Sequence, residues 1–428
     1  MKVLIISHNP ISDQSNMGKT FLTLFSSFSR EELCQIYIYP TVPNCDRCAS
    51  YFRMTDKEMV NWILKRKTIG REIRKEQIQS EAGVFEEEKD EELYRNPKNK
   101  SAVRRLGRDL VWRMAKWKTA QLEQWLEQEK PKCIFVAPGV ACFLYDIALY
   151  IADKWNIPIV TYICDEYYFV KQPKLGLNRM RLHILQKKIR QLMKRSACLT
   201  VISQELKTDY EAEFGIPAHV LMTGSSLPIA KTPRISVPSD AICYFGNIRC
   251  KRYLSLAEIG RELDDINKEL GTSYRLKIYS AEKNEEILAS FQGISSVQFC
   301  GFVKGEAFEE AFYQAPLLLH TEAFDEDSID FVQHSVSTKI ADSLASGIPL
   351  LVYAPESISS TQHALRNMCA LIASEPNALR PMLLKALRSD PILWGICENA
   401  LRTAREFHDT EAVSSQLYQI IGHLIDKE

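Results

Sequence analysis

The sequence contains no apolar run near the roughly 20 residues that a membrane-spanning helix needs. No targeting segment is expected: Met1–Ser7 (MKVLIIS) is too short for a signal-peptide core and reads as a first β-strand. Net charge is absent too, with 54 Lys+Arg against 54 Asp+Glu. A globally basic nucleic-acid binder is therefore not expected, although a balanced total leaves room for local basic patches, and no nucleic-acid partner is expected. Cys45-Asp-Arg-Cys48 lacks the second ligand pair that a zinc site requires, so no metal is expected. The twelve cysteines are scattered. Cys133, Cys164 and Cys243 sit inside apolar runs, where a free thiol packs as a small hydrophobe. Without an export signal, the reducing cytoplasm is the expected compartment. No short-period repeat occurs. What is present is 428 residues, 46% hydrophobic and 25% charged. That composition describes an ordinary globular protein, and at roughly 100–200 residues per domain two domains are expected.

Short apolar runs alternate with helix-length segments. In the first half they are Val3–Ser7, Gln35–Tyr39, Cys133–Ala137, Ile159–Cys164 and Cys198–Ser203. Such alternation predicts a parallel sheet covered by helices. Leu227–Asp240, with three prolines and little periodicity, reads as a linker. The pattern restarts at Ala241–Phe245 and continues with Tyr274–Tyr279, Val297–Cys300, Leu317–His320 and Leu350–Tyr353. Glu406–Lys427 reads as a terminal helix. Residues 54–130 are highly charged and read as a helical insertion, with a solvated hinge at Glu86–Glu92.

Four motifs carry chemistry. Ser7-His8-Asn9-Pro10 precedes Asn16-Met17-Gly18-Lys19-Thr20. A phosphate loop would need glycine five residues before the Gly-Lys, where Asp13 stands. The stretch reads instead as a glycine-containing βα loop lining a ligand crevice, or as a plain strand-to-helix turn. Cys164-Asp165-Glu166-Tyr167-Tyr168 follows an apolar strand. Asp165 and Glu166 are placed there to orient a hydroxyl or move its proton, or else to cap the loop. Phe245-Gly246-Asn247-Ile248-Arg249-Cys250-Lys251-Arg252 sets a glycine turn beside three cations, which suits a diphosphate. His334–Pro349 places Ser337, Thr338 and Lys339 at a helix N-terminus, a phosphate-binding position, with Asp342 one turn further on. Outside these motifs, Lys98–Lys118 has eight cations to one acid, with Trp112 and Trp117, and Lys171–Arg195 has nine cations and no acid. Both suit contact with an anionic membrane, or are solvated helix faces with Trp in the core.

On these residues the chain resembles the GT-B glycosyltransferases, most of all the family 4-like group that builds bacterial cell-surface polysaccharides. The matching positions are Asn9-Pro10 with Asn16–Thr20, Asp165–Tyr168, Val201-Ile202-Ser203 before Tyr210 and Phe214, Gly246-Asn247, Ser337–Pro349 and the terminal helix. The resemblance implies an α/β fold of two Rossmann-like domains facing across a cleft. The domains would span 1–230 (acceptor side) and 231–405 (nucleotide-sugar side), with 406–428 returning toward the first. It places Arg252 and Lys339, with Gly246, Asn247, Ser337 and Thr338, on the donor diphosphate. Asp342 takes the second carboxylate of a Glu-seven-residues-Glu pattern and would hold ribose. The first carboxylate falls on His334, and Glu322 is the substitute expected to contact the sugar. Asn9, Asn16, Gly18 and Lys19 fall on the acceptor loop.

The resulting expectation is a transferase that moves a sugar, with retention, from a nucleotide diphosphate to a polyprenyl-linked or growing glycan acceptor. No cofactor and no metal are expected. The enzyme would lie in the cytoplasm, in peripheral contact with the inner face of the membrane. An epimerase or hydrolase of the same fold, and a non-catalytic scaffold, are the alternatives.

Overall fold

The computed structural model describes residues 1–12, 16–73, 77–78, 102–170, 176–235, 240–388 and 391–426. The chain forms two compact units, Met1–Leu221 with Val413–Glu428, and Met222–Ala412.

The first unit has strands β1 (Val3–Ser7), β2 (Leu33–Tyr37), β3 (Ser50–Arg53), β4 (Arg71–Ile73), β5 (Cys133–Ala137), β6 (Ile159–Ile163), β7 (Ser196–Val201) and β8 (Ala218–Val220). They form one sheet in the order 4-3-2-1-5-6-7-8. Only the β3–β4 pairing is antiparallel. The central strands are buried along their length because helices cover both faces, so VLIIS and CIFVA read as continuous apolar runs without alternation. Phe21, Phe25 and Phe135 meet edge to face on one side of this sheet. Tyr418 packs on Phe28 at 4.9 Å and donates to Glu32 at 3.0 Å, which joins the last helix to this unit.

Residues 54–130 are more than a helical insertion. Their described part holds helices Asp56–Lys65, Ala102–Met114 and Ala120–Glu129, but also β4, which extends the sheet. Leu122, Trp125 and Leu126, at helical spacing, are buried in the main core. The acidic hinge at Glu86–Glu92 lies outside the described residues.

The second unit has strands β9 (Ala241–Phe245), β10 (Arg275–Tyr279), β11 (Val297–Phe299), β12 (Leu318–Thr321), β13 (Leu350–Tyr353) and β14 (Leu371–Ala373), ordered 11-10-9-12-13-14 and all parallel. The proline-rich stretch read as a linker lies on this unit. Leu227 and Ala230 are buried, and the Ala230 and Arg234 amides donate to the carbonyls of Ala345 and Gly347, each at 2.8 Å. Gly347 ends helix Thr338–Ser346 at φ +73°, and a Cβ there would stand 2.9 Å from the Thr232 carbonyl oxygen. The position therefore needs glycine for both backbone conformation and space. The terminal segment breaks into two helices, Ile392–Phe407 and Thr410–Asp426, at His408.

In each sheet the strand order reverses beside the first strand of its unit, between β1 and β5 and between β9 and β12. Loops leaving the carboxyl ends at such a point diverge and open a crevice. The loop after β1 begins at His8-Asn9, the loop after β9 at Gly246-Asn247, and the residue after β12 is Glu322.

Candidate functional site

In the second unit a cleft of about 250 Å³ opens at the carboxyl ends of β9 and β10. Gly246, Asn247 and Lys339, all singled out from the sequence, line it together. The turn that forms its wall is fixed by its own polar groups. The Gly246 amide donates to the Tyr279 carbonyl at 3.0 Å, the Tyr244 hydroxyl donates to the Asn247 carbonyl at 2.7 Å, and Asn247 Oδ1 accepts from the Arg249 amide at 2.7 Å. Opposite stands helix Thr338–Ser346. Ser337 caps it, accepting from the Lys339 amide at 3.3 Å, while Thr338 is exposed. Lys339 lies in the first turn, where the helix dipole already favours an anion. Its Nζ is 4.7 Å from the centroid of Phe308, and among the described residues it makes no ion pair. The cleft thus joins a cationic edge to an aromatic wall that includes Tyr279 and Phe302. The sequence reading passed over Tyr279, Phe302 and Phe308. The available signal was Gly301-Phe302-Val303 just past β11, at a strand's carboxyl end.

Four expected donor contacts stand elsewhere. Arg252 and Glu322, placed by the resemblance on different parts of the donor, are bonded to each other: Nε to Oε2 at 2.6 Å and Nη2 to Oε1 at 2.8 Å. Burial disfavours both charges. It raises the Glu322 carboxyl against the pull of Arg252. For Arg252 burial is the largest single influence, but the bond and charge of Glu322, with smaller attractions from Tyr244 and Cys250, together hold the guanidinium above its ordinary range. His320, 3.9 Å from Glu322, is pushed down to about 3 by burial and then by Arg252, so it stays neutral and adds no ion pair. Asp342 is buried, and its Oδ1 accepts from Ser225 Oγ at 3.2 Å, the Ser226 amide at 2.8 Å and Ser226 Oγ at 2.9 Å. This carboxylate anchors the first residues of its own unit, a role that no local spacing announces because its partners lie more than a hundred residues away. His334 is half-buried, in the turn after helix Glu326–Val332.

At the rim of the cleft Arg249 pairs with Glu282 at 2.6 Å. That bond, with the Asn284 and Lys283 amides, pulls the Glu282 carboxyl down to about 2. Lys251 pairs with Asp325 at 2.6 Å. Cys250 and Lys251 both take positive φ, 55° and 56°, immediately before helix Arg252–Leu270.

In the first unit Asn9 belongs to a polar chain at the end of β1. Its Oδ1 is 3.0 Å from His8 Nδ1, and Arg108 Nη2 is 2.9 Å from His8 Nε2. Arg108 Nε and Trp112 Nε1 both donate to Asp56 Oδ1, at 2.9 and 2.7 Å. Arg108 can only donate, so His8 Nε2 accepts and Nδ1 carries the proton. The ring is neutral, its pKa lowered to about 4 by burial and then by Arg108. Buried Gln35 pins the same loop by accepting from the Ile11 amide at 3.1 Å and donating to the Asn9 carbonyl at 3.2 Å. Gly18 is buried and Lys19 exposed in helix Asn16–Leu24. The Asn16 side chain and Asp13 lie outside the described residues.

Asp165, just past β6, is open to solvent on one side and ringed by protein on the other. Partial desolvation raises its carboxyl, and the Tyr167 hydroxyl opposes this by donating to Oδ2 at 3.0 Å. Glu166 turns into its own loop. It accepts from the Tyr168 amide and, at 2.7 Å, from the Phe169 amide. That makes it a loop cap rather than an open carboxylate, the alternative noted from the sequence. Trp112 and Trp117 are core residues, and Trp112 stacks on Phe143 at 4.0 Å.

No family model matches the chain, and no curated protein matches it in sequence. Solved structures do match. Sucrose-phosphate synthase from Thermosynechococcus elongatus is similar with a TM-score of 0.63 at 10% identity, over 100% of both chains. HepE from Anabaena, in complex with UDP, has a TM-score of 0.62 at 10% identity, over 99% of this chain and 100% of its own. A UDP-forming α,α-trehalose-phosphate synthase from Burkholderia vietnamiensis has a TM-score of 0.60 at 10% identity, over 99% and 100%. The fold is that of the GT-B glycosyltransferases, with two α/β sheets that are parallel except for the β3–β4 pairing.

Proposed function

We propose that the chain is a glycosyltransferase that binds a nucleotide-diphosphate sugar in its second unit and passes the sugar, with retention, to a polyprenyl-linked or growing glycan acceptor. The carrying observation is Lys339: a cation without an ion-pair partner among the described residues, at a helix N-terminus, facing an aromatic wall across the Gly246 turn. A nucleoside diphosphate offers the matching pair, an anion and a planar base. The GT-B fold and the complex of HepE with UDP support that class of donor.

In the reaction Lys339 and the helix end would stabilise the departing diphosphate, so no metal is needed for that charge. Asp165 would hold the acceptor hydroxyl or take its proton, and its raised pKa suits that task. Asn9, on the rigid loop fixed by Gln35 and His8, would position the acceptor. Arg252 and Glu322 would act indirectly, by bracing the two loops that diverge at the switch point of the second sheet.

The test screens UDP-, GDP- and dTDP-sugars for protection against thermal unfolding, then titrates the donor that protects. Lys339→Ala is expected to weaken that donor by roughly 10- to 100-fold, the loss of one charge-assisted contact, with an unchanged unfolding midpoint. Unchanged affinity removes Lys339 from the diphosphate. Protection by no donor leaves the scaffold reading. Release of free epimer without acceptor selects the epimerase. Asp165→Asn is expected to slow acceptor-dependent nucleotide release by about 100-fold or more while donor affinity holds. Full turnover would take Asp165 out of the chemistry.

A further inference from the structure

Helices Ala102–Met114 and Leu177–Met193 of the first unit lie against one another. Each turns an apolar stripe outward. On the first it is Val103, Leu110 and Met114; on the second, Leu177, Met180 and Ile184. These spacings of seven and four, and of three and four, keep each stripe on one helical face. The six side chains are between 36% and 63% exposed, although both helices bury other apolar residues. A groove of about 760 Å³ runs between the stripes, with Leu110 on one side and Ile184 on the other, over a floor of Trp112 and Phe143. Scattered exposed leucines are ordinary, but an exposed apolar stripe on each of two packed helices, each with a residue on a common groove, is not.

The surrounding charge is predominantly positive, although Arg108 is taken by Asp56. The first helix carries Arg104, Arg105, Arg108 and Arg113 against Asp109 alone, and the second carries five cations and no acid. Arg105 is close enough to Arg181 and Arg108 that burial and their repulsion lower its pKa. Asp146 reaches this face, but it is taken by Lys188. Among the described residues no helix is long and apolar enough to cross a membrane.

We infer that this two-helix face docks on the surface of a bilayer containing anionic phospholipid, with the aliphatic stripes entering the headgroup–acyl boundary and the arginines and lysines meeting phosphate. An amphipathic, cation-rimmed surface binds there by apolar burial plus attraction to anionic lipid. The tryptophans do not take part, since both are core residues. Docking depends on this face alone, so a failure of donor binding leaves it standing, and the two are measured separately.

The full chain is sedimented with phosphatidylglycerol-containing vesicles and with pure phosphatidylcholine vesicles. Binding is expected only to the first, and to weaken as salt screens the charges. Leu110→Glu with Met180→Glu should weaken it by roughly tenfold or more, with thermal unfolding and donor protection unchanged. Should that pair disturb folding, Val103→Gln with Leu177→Gln asks the same question with milder changes. Arg105→Glu with Arg179→Glu should also lose affinity. Equal binding to neutral vesicles, no binding to either, or binding indifferent to the stripe substitutions in a folded variant overturns the assignment. So does capture of polyglutamate that ignores Leu110 and Met180, because it would mark an acidic-protein site.

Discussion

Glu322→Ala is expected to lower the unfolding free energy of the second unit by about 3–5 kcal/mol, a large share of the stability of an ordinary domain. The cost comes less from the lost attraction than from what remains. Arg252 keeps its charge at any accessible pH, and its side chain is only 20% exposed. Without Glu322 it has no carboxylate to take its two bonds. Replacing both members by apolar residues of similar size, Arg252→Met with Glu322→Leu, should recover most of the loss, because the desolvation penalty leaves with the charges. Chemical denaturation of the two single variants and the double variant measures this. A single-variant cost below about 1 kcal/mol, or a double-variant cost equal to the sum, would show that the pair is not the buried unit described here. The position gives the result functional weight. Glu322 follows β12 and Arg252 opens the helix after the Gly246 turn, so the bond ties together the two loops that diverge at the switch point.

The second large effect is acid lability. His320, His363 and His408 in the second unit are held neutral, pushed down to about 3, 3 and 4, and His8 in the first unit to about 4. Burial is the leading cause each time. His363 and His408 form a chain in which each ring has one committed proton. His408 Nδ1 donates to the Thr223 carbonyl at 2.9 Å, so its Nε2 accepts from His363 Nε2 at 3.2 Å. A further proton breaks this chain, whereas in the unfolded chain a histidine accepts one near pH 6.5. Stability is therefore complete above about pH 6.5 and falls as pH drops toward 4, by roughly 1.4 kcal/mol per pH unit for each neutral histidine. With three such groups against His8 and the half-buried His219, which burial also lowers, the second unit should unfold first in acid. Denaturant titrations at pH 7.5, 6 and 5 test the slope. His408→Asn keeps a donor for Thr223 and should flatten it by about one proton. Stability unchanged between pH 6.5 and 5 would contradict the neutral assignment.

Much of the fold was legible because parallel strands buried on both faces must be apolar throughout. β1, β5, β9 and β13 match their apolar runs residue for residue. The strands that escaped notice were the edges β4, β8 and β14, and β3 next to an edge. β3 (SYFR) and β4 (REI) carry arginine and glutamate, and β8 and β14 are three residues long. An edge strand has a paired neighbour on one side only and needs no continuous apolar pattern.

Local chemistry in the sequence determined the cleft turn, the capped helix end and Lys339, because a glycine turn, a cap and a first-turn cation act over a few residues. Only the tertiary structure decided the fate of the carboxylates. Asp342 went to Ser225 and Ser226, Glu322 to Arg252 and Glu166 to its own loop. The same structure put Trp112 in the core and left Leu110 and Met180 in solvent. A charge with several potential partners goes to whichever donors the folded chain brings within about 3 Å, and a side chain's exposure depends on which helix lies across it. Both are long-range outcomes that spacing along the chain does not encode.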